Sequence, residues 1–128
     1  MYLKLGFILE NVLYILAYPD NKQAFITNFL QICRQYSVIT LINKLPDREK
    51  QAVKQQLARV TTGAEGKQIL MRYLSKNIYE KTLNEQAEKL FAVYIETILP
   101  TLDHATAQKL QSFCLSIKNG QQYTNNNC

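Results

Sequence analysis

Apolar residues in this chain recur every three or four positions, in segments separated by prolines and short polar capping sequences. That spacing lines one face of an α-helix, whereas a half-buried strand alternates at every second position. The pattern predicts an all-α protein. Its connections are only a few residues long, which makes successive helices antiparallel neighbours. The expected architecture is a compact bundle of five to six short antiparallel helices over residues 1–120. A polar, Asn-rich tail over 121–128 is expected to be disordered.

The first helix is expected from about Leu3 to Tyr18, with Leu5, Leu9, Val12, Leu13 and Leu16 as its core stripe, and Pro19-Asp20-Asn21 as its break. The second begins near Lys22 and places Phe25, Ile26, Phe29, Leu30 and Cys33 on one face. It continues, or kinks near Ser37, into Val38–Lys44. The β-branched run Val38–Ile42 has no second strand to pair with, so it is read as helix. Leu45-Pro46-Asp47 starts a third helix, whose acids Asp47 and Glu49 suit its positive end and whose inner stripe is Val53, Leu57 and Val60.

Two sequences read as capping boxes, in which Thr and Glu each satisfy a free backbone N–H. Thr62-Gly63-Ala64-Glu65 opens a fourth helix with Ile69, Leu70, Tyr73, Leu74 and Ile78 inward. Thr82-Leu83-Asn84-Glu85 opens a fifth, which Pro100 stops. Asp103 caps a sixth helix carrying Ala107, Leu110, Cys114 and Ile117, and Asn119-Gly120 ends it.

Several chemistries are excluded by what is missing. Gly63-Ala64-Glu65-Gly66-Lys67 has two residues between its glycines and Gln68 after its lysine. A phosphate-binding P-loop needs four residues there and a Ser or Thr. His104 is the only histidine, so neither a Cys/His zinc cluster nor a Glu-x-x-His di-iron site can be assembled. No GxSxG or HExxH sequence occurs. Cys33 and Cys114 lie on apolar faces and read as small core residues, and Cys128 falls on the tail. Three widely spaced cysteines do not form a disulfide framework, which favours a reducing, cytoplasmic setting. The apolar N-terminal run carries Lys4 and Glu10 and is shorter than the roughly 20 residues a membrane span needs. It reads as a buried helix, with binding at a membrane interface as the lesser alternative.

Two features point towards function. The opposite side of the first helix carries Phe7, Asn11, Tyr14 and Tyr18 at helical spacing. A helix that is apolar on two sides is covered twice. The plain cover is another helix of the same bundle. The functional one is a partner protein or a second copy, because aromatic residues are enriched in interfaces. The second feature is charge. The chain carries a net +5, and residues 44–81 hold nine Lys/Arg against four Asp/Glu. Arg48, Arg59, Arg72 and Lys76, with Tyr79 nearby, are the candidate contacts to a phosphate backbone.

These readings rank as follows. The first is a non-catalytic interaction protein, binding a protein partner or forming a homo-oligomer through the first helix. The alternative is a nucleic-acid-associated protein using the basic surface of residues 44–81. An enzyme comes third, since its pocket would have to join residues distant in sequence. No cofactor, metal or small-molecule substrate is expected.

Overall fold

A computed structural model describes the backbone of residues 1–127 and the side chains of residues 1–118. The expected stop at Asn119-Gly120 is overturned, because the backbone of the last helix runs through it to Asn127 and takes in the tail expected to be disordered; Cys128 lies outside the described residues. The fold is all-α, as the periodicity implies: α1 (Tyr2–Ile15), α2 (Lys22–Asn43), α3 (Asp47–Leu57), α4 (Gly63–Met71), α5 (Lys76–Ile98) and α6 (His104–Asn127). A single 3₁₀ turn, Leu99–Thr101, carries Pro100 between α5 and α6.

The helix ends are set by local chemistry. Helix α1 closes in a Schellman turn. Ala17 takes a left-handed φ of 53°, its N–H donates to the Tyr14 carbonyl, and the Tyr18 N–H donates to the Leu13 carbonyl. Asn21 opens α2 by accepting the Ala24 N–H at 3.1 Å. Thr62 opens α4 by accepting the Glu65 N–H, while the Glu65 carboxylate reaches back to the Thr61 N–H. Asp103 opens α6 by accepting the Thr106 N–H at 2.7 Å. Each of these helix starts lies where the sequence places it.

One boundary moves. The chain breaks after Arg72, and Ser75 opens α5 by accepting the Ile78 N–H at 3.2 Å. Thr82-Leu83-Asn84-Glu85 is therefore helix interior, with Thr82 and Leu83 buried. Burying Tyr79, Thr82, Leu83 and Ala87 along one continuous face outweighs the local capping preference, which contributes only about 1 kcal/mol. Ile78 consequently lies on the outside, 48% exposed, rather than inward.

Helices α2 and α5 form the central antiparallel pair. Gln86 donates to Thr40 at one level, and Phe29 meets Tyr94 edge-on, with ring centroids 5.9 Å apart, at the other. Helix α1 folds back antiparallel on α2 and also packs on α5 and α6, while α3 and α4 pack against each other and α3 against α2. All six helices contribute to one core, from Leu5, Leu9 and Leu13 through Cys33, Leu41, Val53, Leu70, Ala87 and Phe91 to Leu110. Ser37 is fully buried and donates its hydroxyl to the Cys33 carbonyl at 2.7 Å, so α2 runs through Ser37 without a break. No helix among the described residues is long and apolar enough to cross a membrane.

Candidate interaction surface

Helix α1 buries Leu5, Ile8, Leu9, Val12 and Leu13 against α2, α5 and α6. Its other side is left bare. Leu3 is 96% exposed, Phe7 70% and Tyr14 77%. At i, i+4 and i+11 these three form one row along the helix. Two of the four residues singled out on this face, Phe7 and Tyr14, thus lie together at the surface. Asn11 is half-buried beside them and donates its amide N–H to the Phe7 carbonyl at 2.9 Å. The Lys22 ammonium sits 5.8 Å from the Tyr14 ring centroid, a cation–π contact at the end of the row.

Tyr18 does not belong to this row. The Schellman turn ends the helix before it, and its ring packs edge-on against Phe25 at 5.5 Å. It joins an aromatic cluster with Phe25, Phe29 and Tyr94. Burial pushes the Tyr94 phenol above its ordinary pKa, and Tyr18 pushes it further in the same direction. A shallow groove of about 300 Å³ runs from this cluster along α2, lined by Tyr18, Asn21, Phe25, Asn28, Phe29 and Ile32 among others.

Sequence reasoning missed Leu3, which was assigned to the helix but not to its outer row. Its spacing of one turn before Phe7 was the available signal. It also missed an outer row on α2, where Ile32, Tyr36 and Ile39 are exposed at i, i+4 and i+7. The core stripe of α2 was read instead, and the outer row is legible only once the packing of α2 is known.

The basic residues are distributed differently from expectation. Arg48, Arg59, Arg72 and Lys76 are all exposed. Arg48 stands in the first turn of α3, Arg59 lies just beyond its end, Arg72 closes α4 and Lys76 opens α5. Arg72 and Lys76 therefore do not share one helical face, since the chain turns between them. Lys76 also meets Glu80 at 3.8 Å. Tyr79 is a core residue, 5% exposed, and is not the surface aromatic that the basic segment requires.

Cys33 is buried and Cys114 half-buried. Burial pushes the thiols of Cys33 and Cys114 up, which disfavours the nucleophilic thiolate. The nearby Arg34 charge lowers Cys33 by less than burial raises it. His104 is exposed in the first turn of α6. No group of three potential metal ligands occurs among the described residues.

The fold and its surface define a small all-α bundle with an uncovered apolar helix face. No protein-family model matches the chain, and no curated protein or solved structure matches it.

Proposed function

We propose that this chain is a non-catalytic interaction module that docks a partner protein, or a second copy of itself, through the outer face of α1. One observation carries the reading. Leu3, Phe7 and Tyr14 stand in a row, each at least 70% exposed, on a helix whose other side is fully packed. An isolated exposed leucine is ordinary. A row that gathers two aromatics is the composition that interfaces favour. Glu10 lies within the same row, giving the apolar face one charge with which to select its partner.

Light scattering across a concentration series, together with pull-down on the intact protein, tests this. The expected result is an oligomer or a retained partner that is lost in both Phe7→Glu and Tyr14→Glu. A wild-type monomer at every concentration, whose captured proteins are unchanged by Tyr14→Glu, would sink the reading. The nucleic-acid alternative rests on charge alone, because its four residues sit on separate backbone segments. Salt-sensitive retention on DNA or RNA, abolished by charge reversal at Arg72 and Lys76, would reinstate it.

A further inference from the structure

Helix α2 is 22 residues long and carries only two charged residues, Lys22 and Arg34. Both meet aromatic residues of α1. The Lys22 ammonium sits 5.8 Å from the Tyr14 ring centroid, and Arg34 donates from Nη1 to the Tyr2 hydroxyl at 2.6 Å. The side of α2 turned away from the core is left without a charge. Helix α5, of similar length, instead exposes Lys81, Glu85, Glu88, Lys89 and Glu96. Depletion of charge around an aromatic marks the centre of an interface rather than a solvated face.

The uncharged side of α2 is a single row. Asn28, Ile32, Gln35, Tyr36, Ile39 and Asn43 are all exposed. At i, i+4, i+7, i+8, i+11 and i+15 they line one helical face, opposite the buried Ile26, Cys33, Ser37 and Leu41. Ile32 is 42% exposed, Tyr36 50% and Ile39 54%. The row is also symmetric about the Gln35–Tyr36 bond. Ile32 and Ile39 stand equally far to either side of it, and so do Asn28 and Asn43. A two-fold axis through that bond sets a second α2 antiparallel on the first. Each Ile32 then meets the Ile39 of the other copy, and each Asn28 its Asn43. Tyr36 falls beside its own counterpart at the axis. Such pairing is what an isologous two-fold interface requires. Asparagine amides both donate and accept, so the paired ends satisfy each other.

We propose that the outer face of α2 is a self-association surface whose occupant is the same face of a second copy. Charge selects this occupant. A charged side chain set against the row would lose its water and find no opposite charge there. The chain carries a net +5, so two copies repel over most of their surface and meet best where neither presents a charge. The row lies on a different helix from Leu3, Phe7 and Tyr14, and the proposal stands or falls separately from docking through α1.

Sedimentation equilibrium of the intact protein over a concentration series tests it. A dimer is expected, held as well or better in about 0.5 M as in about 0.05 M sodium chloride, because salt screens the repulsion and breaks no ion pair. Ile39→Asp and Tyr36→Glu should each weaken the dimer by about tenfold or more. Tyr14→Glu should leave it unchanged. Both α2 positions are exposed, and circular dichroism checks that the variants fold. Crosslinking gives a second measurement. In a Cys128→Ser background, Gln35→Cys should be joined into dimers by a short bismaleimide above the level of the parent. Ala24→Cys should stay at that level, since two copies of residue 24 lie about 35 Å apart in this pairing at 1.5 Å per residue. A monomer at every concentration up to about 1 mM would overturn the proposal. So would a dimer that survives Ile39→Asp and Tyr36→Glu, one that dissociates in salt, or equal crosslinking at residues 24 and 35. A dimer lost in Tyr14→Glu alone would overturn it too, and would assign self-association to α1.

Discussion

The side-chain oxygen of Asn84 accepts the backbone N–H of Tyr2 at 2.9 Å, across 82 residues of sequence. The first N–H groups of a helix have no partner within it. Helix α1 has no side-chain cap of its own at Met1, so α5 supplies one. Asn84→Ala should cost about 1 kcal/mol, seen as a melting temperature lower by about 4 °C. Asn84→Asp should keep the bond and add a favourable charge at the helix's positive end, so it should melt close to wild type. Equal losses in both variants would mean that Asn84 matters for another reason.

Two helix positions carry the less suitable residue, and exchanging each should stabilise the fold. Ala17 holds a left-handed φ of 53°, the conformation glycine adopts without steric cost. Gly6 lies inside α1, and a Cβ there would meet Ile26 at an ordinary 3.8 Å. Ala17→Gly should gain about 0.5 kcal/mol, and Gly6→Ala about 0.8 kcal/mol. Urea denaturation should show both midpoints shifted upward with an unchanged slope.

Leu3 and Leu9 lie on one helix and differ only in what covers them. Leu9 is fully buried and Leu3 is 96% exposed. Leu9→Ala should destabilise by about 2–5 kcal/mol through lost burial and an unfilled cavity. Leu3→Ala should change the stability of the isolated chain by less than about 0.5 kcal/mol. If Leu3→Ala abolishes association while leaving the melting temperature of the monomer intact, the outer row acts in docking rather than folding.

Alkaline pH should unfold the chain through its buried acids. Burial raises the Tyr79 and Tyr94 phenols above 10.0 and the Cys33 thiol above 9.0. A raised value in the folded state means that the folded chain holds these protons more tightly than the unfolded chain. That contribution is complete below the ordinary values, and it is lost as pH rises through the raised ones. Melting temperature should therefore be flat at neutral pH and decline above about 9. Tyr94→Phe removes one such proton and should make the alkaline decline shallower.

Helix identity and most helix starts were legible in the residues alone. Thr62 and Asp103 cap where their sequence context says, and Asn21, part of the expected break, caps α2, because a cap is a contact between a side chain and a backbone three residues away. Local chemistry of that range needs no tertiary information. The same chemistry misplaced the start of α5. Thr82-Leu83-Asn84-Glu85 fits the capping pattern, yet Thr82 lies buried in the middle of a helix and Asn84 caps α1 instead. Which of two competent caps is used, Ser75 or Thr82, depends on how much apolar surface the continuous helix buries.

The candidate sites divide in the same way. The sequence by itself determined that α1 is apolar on two sides, since periodicity is a property of one segment. Only the packing of α2, α5 and α6 on a single side of α1 decided that Leu3, Phe7 and Tyr14 stay bare while Tyr18 turns inward onto Phe25. The meeting of Tyr2 with Arg34, and of Lys67 with Tyr79, left no trace in the chain, because each pair joins two helices. Burial and convergence are sums over contacts from several helices, and no single segment encodes them.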